Sequence, residues 1–205
     1  MKKIVMMLMA LCIMAPMANA ELSKKDQKRV EKSAKTKANE LKKEGFVMMG
    51  SLPLKDALVK HYTALEEGAL EQMGNGHAIS KNNGRQMCLT NALAEYSSKV
   101  MSQVKGRSVL DSYGEEINTD TTIEFARFYA AYERLTQKEI KGDLQESFTI
   151  MKEQPDGSFE FRMFMLLDKD KALSSRQKAL RDAATEANLA KHYVDQLSEF
   201  INGEL

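Results

Sequence analysis

The stretch Leu144–Leu167, LQESFTIMKEQPDGSFEFRMFMLL, decides the fold. It alternates, breaks at Pro155-Asp156-Gly157, and alternates again. Phe148 and Ile150 recur at period two on the first arm. Phe159, Phe161, Met163 and Met165 do so on the second, with Glu160 and Arg162 between them. That is the pattern of a strand with one wet face. Proline presets φ for a turn, aspartate caps it, and glycine takes the positive φ that closes a hairpin. From Met163 to Leu167 both faces turn apolar, so that end of the hairpin is expected to be covered twice. A lone hairpin is marginal in water, so the rest of the chain must supply its cover.

Upstream, the residues from Ala69 to Ser80 read as another strand, in which Gly74 and Gly76 mark a bulge or a close backbone approach. Helical periodicity predicts the cover. Pro53 starts a helix carrying Leu54, Ala57, Leu58, Tyr62 and Leu65, with His61 beside the stripe and Gly68 at its end. Asn82 or Asn83 caps a helix over 83–104 with Leu89, Leu93, Tyr96, Val100 and Val104 inward, stopped by Gly106. Thr121-Thr122-Ile123-Glu124 reads as a capping box for a helix over 121–139 with an aromatic stripe of Phe125, Phe128, Tyr129 and Tyr132. Ser174 and Gln177 read as a second box, opening one long helix over 174–202. Its alanines are expected to pack inside the chain, the alternative being a homodimer seam.

The expected fold is therefore α+β: a small antiparallel sheet with helices packed on one face, plus a charged N-terminal helix. Residues 1–20 form a leader, 21–50 a helical arm, and 51–205 one domain. The leader reading rests on Lys2 and Lys3, an apolar run from Ile4 to Met14, and the small-x-small site Ala18-Asn19-Ala20. Lipidation at Cys12 is the rival, but Leu11 stands where lipoprotein signals place a small residue. Cleavage after Ala20 leaves 185 residues and takes the formal charge from +1 to −1, because Lys2 and Lys3 are removed.

Charge in that mature chain is segregated. Residues 21–44 hold nine Lys or Arg against five Asp or Glu, a net +4, so the remainder carries −5. Val30, Ala34, Ala38 and Leu41 give this segment only a thin apolar stripe, so it reads as a solvated helix or tether. Contact with anionic head groups is the sharper alternative.

Chemistry is sparse. His61, His77 and His192 are far apart, and none has a partner at helical metal-site spacing. Nucleophile elbow, phosphate loop and dinucleotide fingerprint are missing, and Gly74-Asn75-Gly76 lacks the lysine and hydroxyl residue of a phosphate loop. The basic segment has no interleaved aromatics for stacking on bases, which argues against nucleic acid. Cys88, the one cysteine after the leader, reads as a small buried apolar residue rather than half of a disulfide. No catalytic residue, cofactor or metal ligand is therefore assigned.

Glu40-Leu41-Lys42-Lys43-Glu44-Gly45 and Gly50-Ser51-Leu52-Pro53-Leu54 follow the charged N-terminus. A glycine-containing strand comes next, then a helix entered through Ser80-Lys81-Asn82-Asn83 with Ala92 and Ala94, a second helix, and a strand pair turning at Asp156-Gly157. That order, over about Leu41 to Lys171, resembles the twenty-kilodalton lipoprotein family of Gram-negative envelope proteins. The resemblance implies a small α+β envelope domain and carries no catalytic residues. The expectation is a non-enzymatic exported protein, periplasmic or outer-membrane-associated, binding an envelope protein or surface polymer. Peripheral membrane contact through the N-terminal arm and a structural homo-oligomer through the C-terminal helix, a homodimer for example, are further expectations, and an envelope-polymer hydrolase is the enzymatic alternative.

Overall fold

The computed structural model describes residues 22–111 and 119–203. The leader reading therefore lies outside the described residues. The order is α1 (Lys24–Lys43), β1 (Val47–Met48), α2 (Leu54–Glu66), β2 (Leu70–Ala78), α3 (Lys81–Asp111), α4 (Thr119–Ile140), β3 (Gln145–Glu153), β4 (Phe159–Leu167), α5 (Lys169–Ala187) and α6 (Lys191–Gly203). The strands form one antiparallel sheet in the order β1-β3-β4-β2, and the fold is α+β.

The hairpin turns where its chemistry requires. Gly157 takes φ 80°, the amide of Gln154 donates to Ser158 O at 2.8 Å, and that of Gly157 donates to Gln154 O at 3.0 Å. A register shift between Glu146 and Phe148 places one extra residue in β3. Beyond it, Phe148 stands opposite Phe164 and Thr149 opposite Met163. Phe161, Met163, Met165 and Leu167 thus share one face, while Phe148, Ile150 and Phe164 share the other.

The first face packs on α3, α4, α5 and α6 in the larger core, with Tyr96, Val100, Phe128, Tyr132, Leu180 and Leu197 buried there. The close-approach reading of β2 holds. A Cβ on Gly74 would lie 1.9 Å from the carbonyl oxygen of Cys88, and one on Gly84 would lie 2.2 Å from the Phe161 ring. α3 therefore crosses the sheet almost backbone to backbone, which only hydrogen side chains permit. Cys88 is fully buried in this crossing, and burial pushes its thiol pKa up to about 11.

The second face corrects the expectation of a sheet covered on one side. Ala34, Ala38 and Leu41 of α1, Phe46, and Leu54, Ala57 and Leu58 of α2 form a separate core on Phe148, Ile150 and Phe164. The N-terminal segment is accordingly no solvated tether. Val30, Ala34, Ala38 and Leu41 are each at most 3 % exposed. The arm boundary at residue 50 also falls beyond β1, which pairs Val47 with Met151 and Met48 with Ile150. The reason is steric: alanines make a weak stripe for a helix alone, but they let α1 approach α2 closely. Arg162 seals the end, its guanidinium 4.2 Å over the Phe46 ring and 3.1 Å from Glu44.

Several helix boundaries also depart from expectation. α3 continues through Gly106 to Asp111, and α4 starts at Thr119, before the Thr121 box. The long C-terminal helix is two. Asp168, not Ser174, caps α5, accepting from the Lys171 amide, and Asn188 ends it in the left-handed conformation at φ 56°. The alanines Ala179, Ala183 and Ala187 are buried inside the chain, mainly where α5 lies on α4.

Candidate functional site: the basic face of the first helix

α1 is capped at its start by Ser23, whose hydroxyl oxygen accepts from the Asp26 amide at 3.2 Å. Its buried residues follow helical spacing, Val30, Ala34, Ala38 and Leu41. Lys25, Lys28, Lys32 and Lys35 recur at steps of three and four on the opposite side, and Lys43 returns there three turns after Lys32. All five are exposed. The ion pairs of the helix lie elsewhere: Arg29 with Asp26 at 3.3 Å and Glu66 at 2.6 Å, and Lys37 with Glu40 at 3.5 Å. Between the outward lysines stand Thr36 and Asn39, so the ridge carries no carboxylate and no apolar side chain. Glu31, Asp26 and Glu40 sit on its flanks.

The helix is held rigidly enough for this face to be a surface of the molecule. Arg29 ties it to α2 through Glu66, and Arg162 ties its end to β4 through Glu44. The ridge therefore combines net positive charge and exposure on a helix packed against the domain.

The three histidines stay apart. His61 is fully buried on α2, with Nε2 2.5 Å from Glu71 Oε2 on β2 and its ring edge-on to Phe148 and Phe164. Its Nδ1 has no hydrogen-bond partner. The spacing Leu54, Leu58, His61 already places it on the buried stripe rather than beside it. Glu71 was legible only through the register of β2.

At the other end of β2, His77 Nε2 bonds Ser158 Oγ, and Ser158 Oγ donates to Asp156 Oδ1 at 2.5 Å. The residue types are those of a hydrolytic triad, but the order is wrong. In a triad the carboxylate orients the histidine, whereas here Asp156 bonds the serine itself. The hydroxyl and amide of Ser158, with a smaller contribution from His77, hold the Asp156 carboxyl below its usual pKa. This is a fastening of the hairpin turn. His192 lies on α6 beside Tyr193, ring centroids 3.8 Å apart.

A shallow groove of about 390 Å³ runs between α3 and the hairpin over Leu89, Leu144, Met163 and Met165. The Arg85–Glu146 ion pair lies along it. Among the described residues no three His, Cys, Asp or Glu side chains gather as metal ligands, and no helix is long and apolar enough to cross a membrane.

No protein-family model matches the chain, and comparison with curated proteins and with solved structures returned no match.

Proposed function

We propose that this protein is a non-enzymatic exported module that binds another component of a Gram-negative cell envelope. The observation that carries the reading is the lysine ridge of α1: a rigid, exposed face with unpaired cations and no carboxylate, on a molecule otherwise net negative. Such a face attracts and orients an acidic partner. The leader-like start and the order of elements resembling the twenty-kilodalton lipoprotein family support the envelope setting. The arrangement at Ser158, with the carboxylate on the serine and not on the imidazole, gives hydrolysis no support.

In-cell crosslinking of the tagged chain, followed by identification of adducts, tests this reading. The expected result is a dominant envelope adduct that fades in the Lys28→Glu/Lys32→Glu variant. Adducts restricted to cytoplasmic proteins, or to further copies of this chain, would overturn it.

A further inference from the structure

We infer that the occupant of the α1 ridge is the head-group layer of an anionic phospholipid bilayer, held by charge alone and without insertion. This deepens the proposed function and rests on it. The first ground is what α1 does with its apolar stripe. Val30, Ala34, Ala38 and Leu41 are all buried, the last three in the core that covers the second face of the sheet. A peripheral helix that enters a bilayer needs a free apolar face. This helix has none to offer, so hydrophobic insertion is closed to it while the domain stays folded.

The second ground is the shape of the ridge. From Lys25 to Lys43 it extends about 27 Å along the helix. A line of that length fits a flat, laterally mobile array of charges. A protein partner of comparable affinity would need a buried aromatic or arginine anchor at the centre of the contact. The outward positions hold lysines, Thr36 and Asn39 instead.

The third ground is the cation itself. Lysine is a compact, hydrated point charge that satisfies phosphate without fixed geometry, whereas arginine suits bidentate sites. The α1 arginine, Arg29, is engaged by Glu66 and Asp26. The exposed lysines make no such pair. Because residues 21–44 carry a net +4 and the remainder of the mature chain −5, an anionic surface would draw the α1 ridge toward it.

Each basic residue near an anionic leaflet multiplies partitioning by roughly five. The chain from Glu21 to Leu205, which holds every described element, should therefore co-sediment with vesicles of phosphatidylglycerol and phosphatidylcholine in equal parts. It should leave vesicles of phosphatidylcholine alone in the supernatant. Raising salt to about 0.5 M, where screening acts within a few ångströms, should release it. Lys28→Glu/Lys32→Glu should lose binding more than tenfold, and Lys28→Gln/Lys32→Gln should lose less, with unchanged circular dichroism for both. Lys169→Glu, on α5, should bind as wild type.

Salt-resistant binding, or binding retained by the double reversal, would overturn the proposal. Binding to soluble polyphosphate with none to vesicles would overturn the bilayer as occupant. A persistent envelope adduct in cells would then leave the broader binding reading standing, so the two failures are distinguishable.

Discussion

His61 shows how one side chain can be both necessary and costly. A buried imidazole must satisfy two nitrogens, and here only Nε2 has a partner, Glu71 at 2.5 Å. Glu71 is itself 42 % exposed and can be hydrated if the histidine is lost. The two ends of the pair are therefore not equivalent. Glu71→Ala strands both imidazole nitrogens in an aromatic pocket and should cost about 1–3 kcal/mol. His61→Leu removes both nitrogens, keeps comparable volume against Phe148 and Phe164, and leaves a hydrated carboxylate. It should stay within about 1 kcal/mol of wild type, or exceed it. Urea midpoints of the two variants check this asymmetry; a leucine variant as weak as the alanine one would refute it. The pairing could not be read in advance because it joins a helix to a strand, and only the register of β2 places Glu71 beneath His61.

At the scale of elements, the legible parts were those where a local rule and a packing need coincide. Pro155-Asp156-Gly157 makes a turn, and the alternation around it makes strands that the core then uses. Gly74 announced a bulge or a close approach, and the structure uses it for the approach of α3. The C-terminal helices were not legible as two. Leu180, Ala183, Ala187, Val194 and Leu197 keep 3-4 spacing across the break, and neither proline nor glycine interrupts them. The stop is Asn188, whose φ of 56° is tolerated by asparagine and strained for most residues. Asn188→Gly should therefore keep or slightly raise the melting temperature. Asn188→Val should lose about 1–2 kcal/mol in denaturant unfolding, and an unchanged valine variant would mean α5 and α6 can merge without penalty. Asp168 was passed over for a comparable reason: it follows Leu167 directly, so strand becomes helix with no intervening loop.

For the whole molecule, the decisive departure is that α1 is structural as well as a candidate docking face. A segment with nine cations looks like a tether when only its own stripe is weighed. What the sequence of α1 cannot display is the demand from the other side, where Phe148, Ile150 and Phe164 need a cover that α1, Phe46 and α2 help provide. Removing residues 21–44 would expose or delete at least four large apolar side chains, Val30, Leu41, Leu58 and Phe164 among them. At about 1.5–3 kcal/mol each, the gross loss is roughly 6–12 kcal/mol, the size of a typical domain's entire stability. The truncated chain should therefore fail to fold cooperatively, instead of merely detaching from its partner. Cys88 supplies the readout. It lies on α3, in the core on the opposite face of the sheet, fully buried, with its thiol held back from ionising. In the intact chain a thiol reagent should modify it only through global opening, at a rate that rises sharply near the urea midpoint. In the chain lacking residues 21–44 it should react at nearly the unfolded rate in the absence of denaturant. Continued protection there would show that the larger core stands alone, and would return α1 to the status of an appendage.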